Sequence, residues 1–385
     1  MKICIISGLF PTPLFPHGGI FITRRIATLR QLGCEVDAYA LCVQETWVTR
    51  KLRSLFHRWP SEILPDWIST DDPLVQLRTI KVPMNLLESV LNICLKERLF
   101  IYKAQRRIQQ TIGKKRFNVI HGHWLYPTGE AVVRYAQHVQ TPCVVTAHGS
   151  DVHRDMRKKY HNGCLWTLEH CTRAEFVSHV LLQKAIEFGY SGKNAQILPN
   201  GIAKIPSAAL SHQGNTVGFV GNLLLIKRVD AFPNIFKRIA QKRPDTQFII
   251  VGDGPLRARL EQETKNLNIH FTGRLSQMEA LKQMQMMDVL LLPSRNEGWP
   301  CVTIEAHSCG VPVVGSSNGG IPEAIGDERF VVKEGPDFEK DFALRVIDVL
   351  DGALPVDAEA LQERAKSFTW TVLQQQEIEN YRCLQ

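Results

Sequence analysis

The sequence predicts an α/β protein made of two doubly wound domains, each a parallel β-sheet with helices on both faces. The 385 residues exceed what one ordinary core accommodates and suit two domains of roughly 150 to 200 residues. Short apolar runs that end at glycine or proline alternate with helical segments in both halves of the chain. The run 288–293 is one such buried strand, and a polar loop and a helix follow it.

The composition is typical of a globular protein, with 44% hydrophobic and 22% charged residues. No apolar run approaches the ~18 to 20 residues that span a bilayer. The apolar N-terminus is soon interrupted by Pro11 and Pro13 and lacks a small-residue cleavage site, which predicts a first strand and not a signal peptide. Ten cysteines without a Cys-x-x-Cys pair favour reduced thiols in a cytoplasmic protein over disulfides or a zinc site.

The net charge of +8 is distributed unevenly along the chain. Residues 1–205 carry 27 Lys and Arg against 15 Asp and Glu, a net +12. Residues 206–385 carry 19 against 23, a net −4. The basic first half predicts an anionic partner, which is a nucleic acid, a phosphorylated substrate or an anionic membrane surface.

The first domain is predicted to begin with a strand, a glycine loop at Gly18-Gly19, a helix over 21–32 and a strand over 35–41. The loop does not fit the Gly-x-Gly-x-x-Gly fingerprint, which argues against a nicotinamide cofactor. Two adjacent glycines nevertheless let the backbone approach a ligand closely.

Two basic segments follow. From Val48 to Trp59, apolar residues recur at helical spacing among four Lys and Arg residues. This pattern is typical of an interfacial helix on an anionic membrane leaflet, and also of a surface helix that packs its apolar stripe on the core. The second segment contains Arg106-Arg107, expected on a solvated helix face, and the run 114–116.

Two later strands, predicted over 118–123 and 143–151, end in histidine beside glycine. Side chains at the carboxyl ends of strands in a doubly wound sheet lie at the ligand-binding edge. His121 and His123 are therefore expected to line a pocket, and His148 and Asp151 lie at the end of the second predicted strand. Taken singly, each histidine is explained equally well by a structural role.

The first domain is predicted to end at residue 205, within a linker over 203–215 that is rich in Ala, Ser and Pro. The second domain, 206–365, begins with a strand over 216–220 and a glycine turn. Lys227 follows this turn, where an ammonium group can reach an anion held above the sheet. Ser276 and Glu279 form a capping box for a later helix, and the tail of the chain is helical.

The stretch 293–326 contains a loop with Glu297, a helix predicted over 302–310 and a strand over 311–315. Glu305, eight residues after Glu297, falls in the first turns of the helix. Because a helix N-terminus offers N–H groups and positive dipole, the spacing suits a phosphate between two carboxylates, one on sugar hydroxyls and one on ribose. The alternative is that Glu305 complements the helix dipole and Glu297 is a solvated loop charge.

This stretch closely resembles the motif of the retaining glycosyltransferases of the GT-B fold, family 4. The residues that carry the resemblance are Glu297, Trp299, Glu305-Ala306, Cys309-Gly310-Val311-Pro312-Val313 and Gly319-Gly320-Ile321-Pro322-Glu323. The His148-Gly149-Ser150-Asp151 segment resembles a second motif of the family. The chain as a whole is similar to bacterial enzymes that build surface polysaccharides, including the teichuronic-acid type. The resemblance implies two Rossmann-like domains that face a cleft, the first completed by a C-terminal helix at 366–385.

The resemblance also implies roles for particular residues. His148 and Glu297 are expected beside the transferred sugar, Glu305 on the ribose, and Lys227 with Gly18-Gly19 at the donor phosphates. Other residues are implied to line the site, namely Arg274, Gly298, Trp299, Cys301 and Val302 for the donor and His123 and Asp151 for the acceptor or the pocket lining. Asn222 stands where the family usually has arginine, so one cationic contact is missing or supplied elsewhere.

Together these features predict an enzyme that moves a sugar with retention from a nucleotide-sugar, UDP-linked, to a hydroxyl of a lipid-linked or saccharide acceptor. Lys227 and backbone N–H groups are expected to neutralise the leaving diphosphate without a metal or other cofactor, since no Asp-x-Asp motif is found. The expected location is the cytoplasm, including the inner face of the membrane. A nucleotide-sugar epimerase is the alternative within this architecture. A nucleic-acid-binding protein is disfavoured because the basic residues are dispersed without interleaved aromatics.

Overall fold

The computed structural model describes residues 1–12, 18–48, 51, 64–70, 72, 75–203, 206 and 214–385. The chain divides into two compact units, Met1–Pro199 with Leu373–Gln385, and Asn200–Val372. The division falls a few residues before the predicted boundary at residue 205. Most of the predicted linker 203–215 lies outside the described residues, as does the predicted interfacial helix, of which only Val48 and Lys51 are described.

The first unit contains one sheet and its flanking helices. In chain order its elements are β1 (Lys2–Ser7), α1 (Ile20–Gln31), β2 (Glu35–Glu45), β3 (Trp67–Ser69), β4 (Gln76–Met84), α2 (Leu86–Cys94), α3 (Arg98–Ile112), β5 (Val119–His123), α4 (Glu130–His138), β6 (Cys143–Ala147), α5 (His161–His170), β7 (Arg173–Phe176), α6 (His179–Glu187) and β8 (Ala195–Ile197). The strand order is β3-β4-β2-β1-β5-β6-β7-β8. Only the short β3 pairs antiparallel among these described strands.

The second unit has the same kind of architecture with a parallel sheet. Its elements are β9 (Thr216–Val220), α7 (Phe232–Lys242), β10 (Gln247–Val251), α8 (Arg257–Glu263), β11 (Ile269–Gly273), α9 (Gln277–Met284), β12 (Val289–Leu292), α10 (Cys301–Ser308), β13 (Val313–Ser316), α11 (Ile321–Ile325), β14 (Val331–Val332), α12 (Phe338–Leu350) and α13 (Ala358–Lys366). The strand order is β11-β10-β9-β12-β13-β14. The last helix, α14 (Trp370–Arg382), begins in this unit and continues in the first.

The central strands form because their side chains are apolar on both faces, as a sheet covered by two helical layers requires. Ile3 to Ile6 of β1 and Val289 to Leu292 of β12 are all buried. The capping box predicted at Ser276 and Glu279 is present and begins α9. The doubly wound α/β class is therefore confirmed in both units.

The element bounds differ from the predicted ones by one or two residues in most places. The helix predicted over 302–310 spans Cys301–Ser308, because Gly310 adopts a left-handed φ of +76° that ends it. Arg106 and Arg107 lie exposed on α3, as predicted. In the segment 64–112, β3, β4, α2 and most of α3 were not predicted.

The strand order places the ligand-binding edge of each sheet. In the first unit, the strands that follow β1 are added on one side of it up to β4, and the strands from β5 onwards lie on its other side. In the second unit the same change of side falls between β9 and β12. In doubly wound sheets, ligands bind beyond the carboxyl ends of the strands at such a switch point. The loops after β1 and β5 carry Gly18-Gly19 and Trp124, and the loops after β9 and β12 carry Lys227 and Glu297.

Candidate active site

In the second unit, the loops at the switch point bring together a cation and a carboxylate. Lys227 donates from Nζ to Oε1 of Glu297 at 2.5 Å. The two side chains are 24% and 15% exposed, so the pair is only partly screened by water. The sequence-predicted phosphate ligand and the first predicted carboxylate are therefore direct neighbours, 70 residues apart in the chain.

Arg295 fixes the position of Lys227 relative to Glu297. Its guanidinium donates to both oxygens of Asp230, each at 2.7 Å, and to the carbonyl of Leu225. Its backbone N–H donates to the carbonyl of Ile226 at 2.8 Å. The loop after β12 is thus held against the loop after β9 by a bidentate pair, which is the geometrically specific kind of ion pair. Arg295 was not predicted from the sequence, although it stands only two residues before Glu297.

A glycine loop supports the backbone of Glu297. Gly319 has a φ of +55°, and a side chain there would lie 2.2 Å from the carbonyl oxygen of Glu297. Gly320 donates its N–H to that same carbonyl at 2.9 Å. The Gly-Gly pair of the family motif therefore serves close backbone contact with the loop that carries the carboxylate.

Arg228 is directed away from this pair. It adopts a left-handed φ of +55°, and its guanidinium lies 3.9 Å from the ring centre of Phe338. Its Nη2 donates to Glu334 at 2.7 Å. Lys227, and not Arg228, is thus the cation beside Glu297. Asn222, at the position of the usual family arginine, is exposed in the loop after β9.

Helix α10 begins directly after the Glu297 loop. Its N-cap, Pro300, makes no side-chain cap, and the first N–H groups of a helix have no intrahelical acceptor. The N–H groups of Cys301 and Val302 are therefore suited to an anion. Burial raises the pKa of Cys301 to about 12, with Glu305 and Glu297 adding to the effect, so this thiol stays protonated at neutral pH. Glu305 accepts a hydrogen bond from Gln277 of α9 at 2.6 Å.

The remaining predicted donor residues differ in placement. Trp299 is buried, its ring lies 5.3 Å from that of Phe368, and its indole N–H donates to the carbonyl of Asn200 at 3.1 Å. Its side chain therefore anchors the Glu297 loop, beside the half-buried Gly298. Arg274 is exposed after β11, which is the edge strand of the sheet and two strands from β9.

In the first unit, His148 lies among aromatic rings at the carboxyl ends of the strands. The rings of Phe21 and Trp124 lie 4.7 and 4.6 Å from it, centre to centre. His148 Nε2 is 3.0 Å from Nδ1 of His123, so one of these nitrogens donates to the other. The opposite nitrogen, His148 Nδ1, has no partner among the described residues. The contacts of Phe21 and Trp124 with His148 were not predicted from the sequence. Trp124 directly follows strand β5, which contains His121 and His123.

Asp151 shapes the loop that carries His148. It is fully buried and accepts hydrogen bonds from the N–H groups of His148 at 3.1 Å, Gly149 at 2.9 Å, Val152 at 3.2 Å and Leu125 at 3.3 Å. Burial raises the pKa of Asp151 to about 6, although these backbone donors act in the opposite direction. Both carboxylate oxygens of Asp151 already accept hydrogen bonds from backbone N–H groups. This arrangement favours the loop-shaping role of Asp151 over contact with the acceptor.

The glycine loop before α1 lies at the same edge of this sheet. Gly19 is buried with a φ of +63°, and a side chain there would lie 2.6 Å from the carbonyl oxygen of Leu9. Gly18 precedes it in the turn. The helix therefore begins at Ile20 without room for a larger residue at position 19.

The pocket-lining prediction for His121 is wrong. His121 is fully buried, with Nδ1 2.5 Å from the hydroxyl of Tyr381 and Nε2 2.7 Å from the hydroxyl of Thr146. His121 lies two residues before the end of β5. Its side chain contacts Arg25 of α1 and Tyr381 of α14 on one face of the sheet and does not reach the edge of the sheet. It stacks on His123, which is buried as well, with ring centres 4.4 Å apart.

A buried ionic cluster surrounds His121. His121, Glu175 and Glu377 present ligand atoms within 4.8 Å of one another, a spacing that could suit a metal ion. Arg25 already lies among them, with Nη1 3.1 Å from Glu377 and 3.5 Å from Glu175. The guanidinium supplies the positive charge that two buried carboxylates need. The cluster ties α14 to α1 and to the sheet of the first unit.

The buried histidines predict a pH-dependent stability. Burial, reinforced by nearby Arg25 and His121, holds the pKa of both His123 and His148 well below its usual range. The unfolded chain takes up these protons near pH ~6.5, so it binds more protons than the folded chain below that pH, and the free energy of unfolding falls as the pH falls. In His123→Asn, the difference in melting temperature between about pH 7.5 and about pH 5.5 should therefore be smaller than in the wild type. The control is His270→Asn, at an exposed position. If His123→Asn keeps the wild-type difference in melting temperature between the two pH values, His123 is not a source of the pH dependence.

Comparison with known proteins identifies the class. Residues 19–203 match the family described as Glycosyltransferase Family 4, and residues 214–352 match Glycosyl transferases group 1. The chain belongs to the family 4 glycosyltransferases and is a glycosyltransferase of the GT-B fold. Among its described residues, no helix is long and apolar enough to cross a membrane.

Particular relatives extend the match over most of the chain. A teichuronic acid biosynthesis glycosyltransferase of Bacillus subtilis (strain 168) is 24% identical over 362 residues, which cover 86% of this chain and 85% of that protein. The N-acetyl-alpha-D-glucosaminyl L-malate synthase of Bacillus anthracis is 26% identical over 249 residues, 60% of this chain and 65% of that protein.

Solved structures share the fold. The apo form of the lipopolysaccharide outer core galactosyltransferase WaaB has a TM-score of 0.71 at 16% identity and covers 99% of both chains. HepE of Anabaena in complex with UDP has a TM-score of 0.67 at 17% identity and covers 100% of both chains. The GT-B fold predicted from the motifs is thereby confirmed.

Proposed function

We propose that the chain transfers a sugar from a nucleotide-sugar, UDP-linked, to a hydroxyl of a lipid-linked or saccharide acceptor, with retention at the anomeric carbon. The observation that carries the proposal is the Lys227–Glu297 pair at the switch point of the second unit, beside the uncapped start of α10. Two relationships support the choice of substrates. The B. subtilis relative is named for teichuronic acid biosynthesis, and the similar HepE structure contains UDP.

The ion pair suggests how the donor is bound. A diphosphate competes with Glu297 for the ammonium of Lys227 and receives further hydrogen bonds from the N–H groups of Cys301 and Val302. Glu297 is then released to accept hydrogen bonds from hydroxyls of the sugar. Glu305, which already accepts a neutral amide donor, exchanges Gln277 for the ribose hydroxyls. In this arrangement the negative charge of the leaving diphosphate meets fixed positive groups.

Retention is proposed to occur by attack on one face of the sugar. The bond from the anomeric carbon to the diphosphate breaks, and its electron pair goes to the phosphate oxygen. The acceptor oxygen bonds to the anomeric carbon from the same face and passes its proton to that phosphate oxygen. The raised pKa of Cys301 disfavours a thiolate nucleophile at this position. In the first unit, the unpartnered Nδ1 of His148 is assigned to a hydroxyl of the transferred sugar.

The proposed location follows from the acceptor. A lipid-linked acceptor would place the protein at the cytoplasmic face of a membrane, whereas a soluble saccharide acceptor would not. The epimerase alternative gains no support, because both matched family descriptions name glycosyl transfer.

A screen of nucleotide-sugars in the presence of a chelator tests the proposal. A donor at 100 times its dissociation constant adds about 2.7 kcal/mol to the free energy of unfolding, which is readily seen as a higher melting temperature. UDP-sugars should stabilise the protein, and the chelator should leave both stabilisation and turnover intact, because Lys227 and N–H groups take the phosphate charge. Turnover that is lost in chelator and restored by magnesium or manganese would contradict the metal-free assignment, and the absence of stabilisation by any nucleotide-sugar would contradict the function.

Replacement of the proposed phosphate ligand should weaken donor binding selectively. Lys227→Ala should raise the dissociation constant for UDP by about 2 to 3 kcal/mol of binding free energy, as for hydrogen bonds to charged groups. Titration calorimetry measures it directly. The matched control is Lys237→Ala, which removes an exposed lysine of α7. The neighbouring Arg228 is not a suitable control, because it contacts Glu334 and Phe338 and its replacement would change stability. Equal affinity in the Lys227 and Lys237 variants would remove Lys227 from the donor site.

The two sugar-contact residues should affect turnover more than nucleotide affinity. Glu297→Gln keeps the size of the side chain but loses charge-assisted acceptance, which is roughly twice as strong as neutral hydrogen bonding. His148→Ala removes the proposed hydrogen-bond partner of a sugar hydroxyl. Both variants should lower kcat without weakening UDP binding, and Glu297→Gln should strengthen it, because the carboxylate that competes with the diphosphate for Lys227 has lost its charge. Glu305→Gln should instead weaken UDP binding more than it lowers kcat. Unchanged kcat in both Glu297→Gln and His148→Ala would refute these roles.

A further inference from the structure

Helix α2 is oriented opposite to an ordinary surface helix, with its apolar side chains outward. Asn92 is buried and Glu88 and Ser89 are half-buried, so the polar side faces the protein. Six large apolar residues in or directly after the helix are exposed, namely Leu86, Leu87, Val90, Leu91, Ile93 and Leu95. Leu87, Ile93 and Val90 are 77%, 61% and 54% exposed. Single exposed leucines are common, but a contiguous cluster marks an interaction surface.

The inward polar groups hold α2 in this orientation. Asn92 accepts a hydrogen bond through Oδ1 from the N–H of Phe100 at 2.8 Å. Glu88 pairs through Oε1 with Lys103 of α3 at 2.6 Å and closes a capping box with Asn85. Rotating the helix to bury its leucines would break these bonds and bury polar groups without partners. The outward apolar face is thus part of the fold itself.

The charge around α2 is strongly positive. Residues 75–116 contain ten Lys and Arg against two Glu, a net +8 that equals the net charge of the whole chain. Both glutamates are engaged within the segment, Glu88 with Lys103 and Glu97 with Asn92. Lys96, Arg106 and Arg107 are exposed and make no ion pair with any residue that the structure describes. Exposed cations without an ion-pair partner among the described residues therefore lie directly after α2 and on α3, the helix that packs against it.

We propose that the outward face of α2 docks on a membrane of anionic lipids, with the leucines in the interfacial region and the cations at the headgroups. An apolar helix face combined with basic residues is the arrangement that binds such a surface. A second copy of the chain fits this surface less well, because two copies would bring two regions of net positive charge against each other. Helix α2 is a different element from the stretch 48–59 suggested by the sequence, most of which lies outside the described residues.

This docking surface would bring the protein to a lipid-linked acceptor, and that consequence rests on the proposed function. Docking itself is measured without donor or acceptor. Failure of docking is therefore distinguishable from failure of the glycosyltransfer proposal, which is tested by UDP binding in the second unit.

The test is co-sedimentation of the full chain with vesicles of phosphatidylglycerol and phosphatidylcholine. The wild type should bind these vesicles, bind less as salt is raised, and bind little to phosphatidylcholine alone. The triple change Leu87→Ser, Val90→Ser and Ile93→Ser should lower the partition coefficient about a hundredfold or more, since each loses an interfacial apolar contact. The matched control is Met278→Ser, Met286→Ser and Leu344→Ser, at exposed apolar positions of the second unit, and it should bind as the wild type does.

A second variant leaves α2 untouched. Lys96→Gln, Arg106→Gln and Arg107→Gln should weaken binding to anionic vesicles about fivefold for each charge removed. Melting curves and UDP affinity should match the wild type in all variants, because the altered side chains are exposed and lie in no described core. Wild-type protein that does not bind anionic vesicles, or both α2-region variants binding them as the wild type does, would overturn the inference. So would a triple variant whose only change, by gel filtration, is from dimer to monomer, because the occupant would then be a second copy.

Discussion

The donor site proposed for the second unit depends on one interaction, the ion pair between Lys227 and Glu297. The parallel order β10-β9-β12-β13 requires the loops after β9 and β12 to lie side by side. Arg295 holds those loops together, and Gly319 with Gly320 gives the Glu297 backbone its contact. In the absence of a ligand, Lys227 and Glu297 neutralise each other, so keeping these two partly buried charges costs little free energy of folding. An anion of higher charge, such as a diphosphate, can then replace the carboxylate beside Lys227.

The first unit organises its candidate site through buried polar groups, whereas the ion pair of the second unit is partly exposed. Asp151 gathers four backbone N–H groups and so sets the loop after β6, while Phe21, Trp124 and His123 determine the position of the His148 ring. Behind them, Arg25 pairs with both Glu377 and Glu175 in the core. The hydrogen bonds and ion pairs of Asp151, Arg25, Glu175 and Glu377, all of them buried, hold the loop after β6 and the core behind it in place.

The sequence predicted the fold well where local pattern and topology agree. Apolar runs such as 289–292 identified the strands, and the family motif located Glu297, Glu305 and the glycine loop that supports them. What remained hidden depends on tertiary contacts. The buried position of His121, the anchoring role of the Trp299 indole and the bidentate Arg295 pair are set by partners distant in sequence. Helix α2 was missed because its apolar residues face outward, so its pattern does not indicate which side meets the core.

The central claim is that the chain transfers a sugar from a nucleotide donor with retention. Slow hydrolysis of the donor by water tests this without knowledge of the acceptor. Once the screen has identified a UDP-sugar that binds, the released sugar can be followed by proton NMR before it mutarotates. The account predicts that the first product has the same anomeric configuration as the donor and that Lys227→Ala slows its release while Lys237→Ala does not. An inverted first product, or a nucleotide-sugar converted to its epimer without release of UDP, would contradict it.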